Sequence, residues 1–433
     1  MDLTENLAEF ALAPVAGEAA LAMMRLSLLD WAACGIAGRD EPVARILRDM
    51  VLAEGGVGEA SLIGGGRVPA RAAALVNGAA SHALDYDDTH FGHIGHPSVA
   101  VVPAALAMAQ SCNARGEAFL QACLAGAELS IRVGLWLGRA HYQTGFHQTA
   151  TAGAFGATAA AGRLLGLDAA RMRQALGLAS TRAAGLKSQF GTMGKPYHAG
   201  MAAATGVECA RLASAGFVSR PDGLSCAQGF GPTHAGQADA HALDGLGTDW
   251  LFETVQHKFH ACCHGTHAAL EALAVLRPQV APGAAAQITL TVHPRWLSVC
   301  DIARPATGLE AKFSYRLTAA MALAGWDTAA LDTFTDAACA DADLIALRDR
   351  VRVASDEAMA ETAALVRITL TDGTRLEAAH DLEAPMSMTA REGKLRAKVR
   401  SLLGEAATGT LWKTLSASNA PNLKELEMHL AGV

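Results

Sequence analysis

SHALDYDDTHFGHIGHPSVA, residues 81–100, sets three carboxylates (Asp85, Asp87, Asp88), four histidines (His82, His90, His93, His96) and Thr89 among plain Ala/Leu/Val text. A core helix does not concentrate ionisable groups in this way, because each buried charge must be paired or neutralised. Gly92, Gly95 and Pro97 interrupt any helix here. The stretch therefore reads as a helix end, a tight loop and a new helix beginning at Pro97-Ser98. Loops braced by rigid helices are where reactive groups collect. This loop is the expected floor of an active site.

Outward from it, the text is helical. Apolar spacing of three and four predicts helices over 21–34 and 43–53, and further helices are expected over 70–84, 99–110 and 116–138. Residues 61–69, SLIGGGRVP, read as a flexible turn; no strand precedes them and no GKS or GKT ending follows, so a phosphate cradle is disfavoured. Residues 145–166, GFHQTATAGAFGATAAAGRLLG, form a Gly/Ala/Thr helix with His147 at its start, where exposed amide NH groups disfavour an imidazolium. A helix over 169–180 leads to a glycine-punctuated loop, 190–200, carrying Lys195 and His198, and then to a helix over 201–215. Residues 219–247 read as irregular.

A second histidine knot, QHKFHACCHGTH at 256–267, runs into a helix over 268–276. Beyond about residue 285 the pattern alternates: strands are predicted over 287–293 and 364–370, with a turn at Asp372-Gly373 into 375–379. Helices are expected over 310–324, 329–338 and 343–351, and in the tail over 389–403 and 423–431. The fold class is mainly α, a large all-helical domain plus a smaller α+β domain.

The chain has 433 residues, 51% apolar and 18% charged, with a net charge of −7. No basic stripe is available to neutralise phosphates, so nucleic acid is not an expected partner. Nine irregularly spaced cysteines fit reduced thiols. The start, MDLTENLAEF, is acidic where a signal peptide is basic. No run of about twenty strongly apolar residues is read, and a soluble cytoplasmic protein without a membrane partner is expected.

Three chemical readings compete. Asp85, Asp87, His93 and His96 are legitimate metal-ligand types, as are His260, Cys262, Cys263, His264 and His267, but neither spacing is a metal signature. A structural reading makes His82, His90, His257 and His264 buried or exposed supports and Asp87 and Asp88 caps. The third joins the pieces. Lys195 and Lys258 stand in polar, histidine-bearing loops, suited to hold anions as point charges. Histidines that can be neutral near pH 7 supply acid and base. Together they suit proton transfer next to a carboxylate of a small polycarboxylate, the developing charge being offset by the cations. A non-catalytic carboxylate-binding protein is the remaining alternative.

The blocks HALDYDDTH…HPS, GFHQTATAGAFGATAAAGRLLGLD, GTMGKPYHAG, KFHACCHGTHAALEAL and EAKFS together resemble the MmgE/PrpD family of 2-methylcitrate dehydratases, cis-aconitate decarboxylases and iminodisuccinate epimerases. The resemblance implies a helical domain built from both chain ends (1–253 and 405–433), an α+β lid domain (254–404), a homodimer, and an active site in the interdomain cleft with no metal or organic cofactor. It carries catalytic roles onto Asp85, His96, His147, Lys195 and Lys258. Substrate binding falls to Thr89, His198, Cys263, His267 and Tyr315. Two positions depart from the decarboxylase pattern. Cys263 stands where a histidine is expected five residues after the lid lysine, and the text after KFS runs one residue short, which displaces Tyr315. A dehydratase or epimerase is therefore expected before a decarboxylase.

Overall fold

The computed structural model describes residues 3–416 and 420–432. It divides into two compact units, residues 1–257 with 403–433, and residues 258–402. The architecture is mainly helical, with one small mixed sheet in the second unit.

The first unit opens with α1 (Leu3–Leu12), α2 (Glu18–Gly38) and α3 (Pro42–Glu54). Pro42 sits in the first turn of α3, where its missing NH costs nothing. The expected turn at 61–69 is a small hairpin: β1 (Ala60–Ser61) pairs antiparallel with β2 (Arg67–Val68). Arg67 is used structurally, donating to the carbonyls of Gly58 (3.1 Å) and Glu59 (2.8 Å) and pairing with Glu427. Then come α4 (Ala70–His82), α5 (Ser98–Ser111), α6 (Gly116–Thr144), α7 (Gln148–Leu164), α8 (Ala169–Arg182), α9 (Gly194–Ser214) and the short α10 (Phe230–Thr233).

The Gly/Ala text explains how α4, α7 and α9 pack. A Cβ on Gly78 of α4 would lie 2.7 Å from the Cα of Gly200 on α9, so the two backbones touch. A Cβ on Gly126 of α6 would lie 2.6 Å from the carbonyl oxygen of Gly156 on α7. Larger side chains at these crossings would force the helices apart. Because the crossings are this close, the end of α4 and the starts of α7 and α9 converge, as the contacts among His82, His147 and His198 show.

α2 and α6 reach the length and hydropathy of a membrane-crossing helix, contrary to the expectation from sequence. Their most apolar windows are 72% and 83% buried within the fold. The Gly, Ser and Cys residues that interrupt the apolar text are small enough to pack inside it. The irregular segment after α9 is pinned by a buried ion pair on α6. Arg132 pairs with Glu128 (2.7 Å) and donates to the carbonyls of Ala242 (3.2 Å) and Asp249 (2.6 Å). Glu128 accepts the NH groups of Leu251 (3.1 Å) and Phe252 (2.8 Å). Breaking such a pair would leave an uncompensated buried charge, at a cost of about 3–5 kcal/mol. Residues 254–257, expected with the second domain, pack in the first unit, where Gln256 bridges to Thr89 and His257 bonds to Ser27 (3.0 Å).

The second unit contains α11 (His267–Leu276), β3 (Ala285–Val292), α12 (Leu297–Cys300), α13 (Gly308–Ala311), α14 (Tyr315–Ala324), α15 (Asp336–Ala340), α16 (Ala342–Arg348), β4 (Val351–Ser355), β5 (Ala363–Leu370), β6 (Arg375–Asp381) and α17 (Met388–Leu403). The sheet order is β4-β3-β5-β6, with β3/β4 parallel and the other pairs antiparallel. The helix expected over 310–324 is broken at Lys312–Ser314, because Ser314 caps α14 by accepting the NH of Leu317. The helix expected over 343–351 ends at Arg348, and β4 follows. The chain then returns to the first unit as α18 (Glu405–Ser416) and α19 (Leu423–Ala431), both packed on α2.

Candidate active site

α4 ends at His82, and the chain reverses through residues 83–97 before α5 begins. Asp85 adopts a left-handed conformation (φ 50°), as does Ile94 (φ 54°). For a β-branched residue this backbone is strained, and such strain persists only where the surroundings impose it. The loop is held from several sides. Thr89 and Gln256 exchange backbone hydrogen bonds of 2.7 Å, and the hydroxyl of Thr149 on α7 accepts the NH of His96 (3.1 Å). His93 is buried over α6, where a Cβ on Gly134 would come 2.2 Å from its Nδ1.

The site itself is a row in which imidazoles alternate with carboxylates and which ends on Lys195. The His82 Nδ1–H donates to Asp87 Oδ1 (2.9 Å), since an ionised carboxylate can only accept. Asp87 Oδ2 lies 2.7 Å from His96 Nδ1. His96 Nε2 lies 3.3 Å from Asp85 Oδ1, and Asp85 Oδ2 lies 2.6 Å from Lys195 Nζ. Both ring nitrogens of His96 thus face carboxylates, an arrangement that the doubly protonated ring satisfies. Burial pushes the Asp87 carboxyl up, but the charges and hydrogen bonds of His82 and His96 outweigh it and hold it far below the usual carboxylate range.

Beside this row stands a neutral pair. His147 occupies the position just before α7, and its Nδ1 is 3.1 Å from Nδ1 of His198, so one ring donates and the other accepts. Burial, then the Lys195 ammonium, then neighbouring histidines hold His147 well below its ordinary value. Burial and His82 lower His198 as well. Phe190 packs its edge against His147 (4.9 Å between centroids), and the Lys195 ammonium lies 5.3 Å from the same Phe190 ring.

Asp85, His96, His147, Lys195 and His198 are therefore brought together. Thr89 lies on the same loop, its hydroxyl 3.4 Å from the carbonyl of Gln256. Lys195 and His198 do not sit in a loop, as expected, but on the first turns of α9, where Pro196 is compatible with a helix start. His82, expected as a support, belongs to the row, and Asp87, expected as a cap, is its buried centre. The helical text before the loop gave His82 no distinguishing mark; its spacing of five from Asp87 was the available signal.

The metal reading named His93. The donor atoms that converge within 4.8 Å are instead those of His82, Asp85, Asp87 and His96. Each faces an oppositely charged or hydrogen-bonding partner within the row, and the Lys195 ammonium already neutralises Asp85. Burial lowers the His93 imidazole to about 3, with His90 and His96 adding to the shift.

The other expected residues lie in the second unit. Lys258 is buried, and the Cys263 NH donates to the Lys312 carbonyl (2.9 Å). Nε2 of His267 faces the Cys262 carbonyl (3.3 Å), and the buried hydroxyl of Tyr315 donates to the Gly265 carbonyl (2.7 Å).

Residues 3–242 match the MmgE/PrpD N-terminal domain and residues 260–414 the MmgE/PrpD C-terminal domain. The chain belongs to the MmgE/PrpD family. Relatives of this MmgE/PrpD chain include cis-aconitate decarboxylase of Homo sapiens, 33% identical over 192 residues (43% of this chain, 40% of that protein). A cis-aconitate decarboxylase-like protein, oryM, of Aspergillus oryzae is 32% identical over 269 residues (58% and 56%). Cis-aconitate decarboxylase of Aspergillus terreus is 30% identical over 262 residues (57% and 54%). The chain spans about half the length of these relatives.

Proposed function

We propose that the chain is a lyase or epimerase that moves a proton at a carbon next to a carboxylate of a small tri- or dicarboxylate. The observation that carries this reading is the grouping of His147, held neutral by burial and by the Lys195 ammonium, with Lys195 and with His96 set between two carboxylates. His147 in the neutral state is a base. Lys195 holds a substrate carboxylate and offsets the charge that develops when the adjacent C–H or C–C bond breaks. Asp85 orients Lys195 and His96.

The same groups serve three outcomes. In elimination, His147 takes the proton, the hydroxide departs with its bonding electrons, and His96 protonates it to water. In decarboxylation, CO2 leaves without the bonding pair, and the carbon takes a proton. In epimerisation, the proton returns to the other face. The names of the relatives put cis-aconitate first among substrates to try. Cys263 and the displaced Tyr315 favour elimination or epimerisation.

Proton NMR in D2O tests the reading, with cis-aconitate, citrate, methylcitrate, iminodisuccinate, malate and tartrate as the panel. Deuterium entering beside a carboxylate is the expected result, and the product separates the three outcomes. Binding of a carboxylate with neither exchange nor product would overturn it in favour of a binding protein.

A further inference from the structure

Asp87 is the most deeply buried charge of the cluster, and its partners among the described residues are two imidazoles. His82 takes one oxygen at 2.9 Å and His96 contacts the other at 2.7 Å. The two rings meet edge to face, 4.5 Å between centroids. A carboxylate buried between two imidazoles does two things. It fixes each ring about its χ angles, and it favours the protonated state of the ring whose other nitrogen is also engaged. That ring is His96.

We propose that Asp87 is a positioning residue that turns Nδ1 of His96 inward and keeps the ring a proton donor at Nε2, with His82 as the clamp that keeps Asp87 in place. This rests on the reading of the cluster as a proton-transfer site. In the step itself, the Nε2–H bond breaks and the proton goes to the departing oxygen or to the carbanion carbon. The ring is left neutral, with the Asp87 carboxylate still 2.7 Å from its Nδ1. No redox change occurs. The charged and titratable groups around His96 are Asp85, Asp87, His82, His93, His147 and, through Asp85, Lys195.

The test is Asp87→Asn, which keeps the shape and removes the charge. In the full chain with 15N-labelled histidine, assigned by His96→Gln, the His96 ring is expected to titrate at lower pH than in the wild type. The alkaline limb of kcat should move down with it, kcat should fall by about 100-fold or more, and KM should change by less than about threefold. Should Asp87→Asn fail to fold, His82→Asn gives the same reading with the same sign: without its clamp Asp87 is no longer held beside Nδ1 of His96, and the ring titrates at lower pH. An unmoved His96 titration in the variant that folds would overturn the proposal. If the wild type turns over no carboxylate, the function reading fails by itself, while the ring titration still decides the role of Asp87.

Discussion

Two histidine knots stand in this chain, and they are wired differently. In the first, at the end of α4, imidazoles alternate with carboxylates: Asp87 between His82 and His96, then Asp85 between His96 and Lys195. In the second, before α11, the polar atoms turn mostly to neutral partners. His260 bonds the Thr328 hydroxyl (2.7 Å), Cys262 bonds Thr266 (3.0 Å), and His267 faces a backbone carbonyl. A carboxylate, Glu271, pairs with Lys394 and stands 3.6 Å from His260. A hydrogen bond to a carbonyl fixes a ring, whereas a carboxylate also changes its charge. The comparison teaches that the number of histidines does not mark a proton-transfer site; the carboxylates facing them do.

The largest effect should come from the first knot. Lys195→Met removes the cation beside His147 and Asp85. It should lower kcat/KM by about 1000-fold or more while circular dichroism keeps its helical signal. A loss under tenfold would break the contrast at its strongest point.

Next in size is a pH effect on stability. Burial raises the Asp88 carboxyl to about 7; Ser98 opposes the shift, and Asp30 and Asp87 add to it. The folded chain therefore binds more protons than the unfolded chain between about pH 4 and pH 7. The contribution of Asp88 to stability is fully present below that window and is lost as pH rises through it. Thermal melts from pH 4 to 8 should show this decline, and Asp88→Asn, which keeps an acceptor for Ser98 but cannot ionise, should flatten it.

The second knot should answer to stability more than to chemistry. Tyr315→Phe deletes the hydroxyl that donates to Gly265, at about 1 kcal/mol. It should lower the melting temperature by a few degrees and leave kcat within about threefold. A kcat collapse with an unchanged melt would give the second knot a chemical role and erase the distinction. The smallest expected effect is none: dialysis against a chelator should leave turnover unchanged, and a stoichiometric transition metal whose removal abolishes it would turn the His82, Asp85, Asp87 and His96 set into a metal centre.

Much of this was legible in the sequence. The dense ionisable loop at 81–100, the Gly/Ala helix after His147 and the alternating strands of β3 and β5 declared themselves through spacing and composition. What escaped was set by packing. Gly194 and Pro196 looked like loop residues, yet Gly194-Lys195-Pro196 opens α9 because α4 lies against it at Gly78 and Gly200. β4 is five residues long at a sheet edge, too short to show an alternation. His82 looked like one more residue of the helix expected over 70–84, and only the reversal of the chain through Asp85, with its left-handed backbone, brings Asp87 back to it.

The central claim is that the carboxylate-wired knot and its neutral neighbour His147 move a proton on carbon. Deuterium exchange beside a substrate carboxylate, followed by NMR for the wild type and His147→Gln in parallel, tests it most directly. The account predicts exchange in the wild type and a rate at least about 100-fold lower in the variant, with the fold retained. Equal exchange in the two proteins would contradict it.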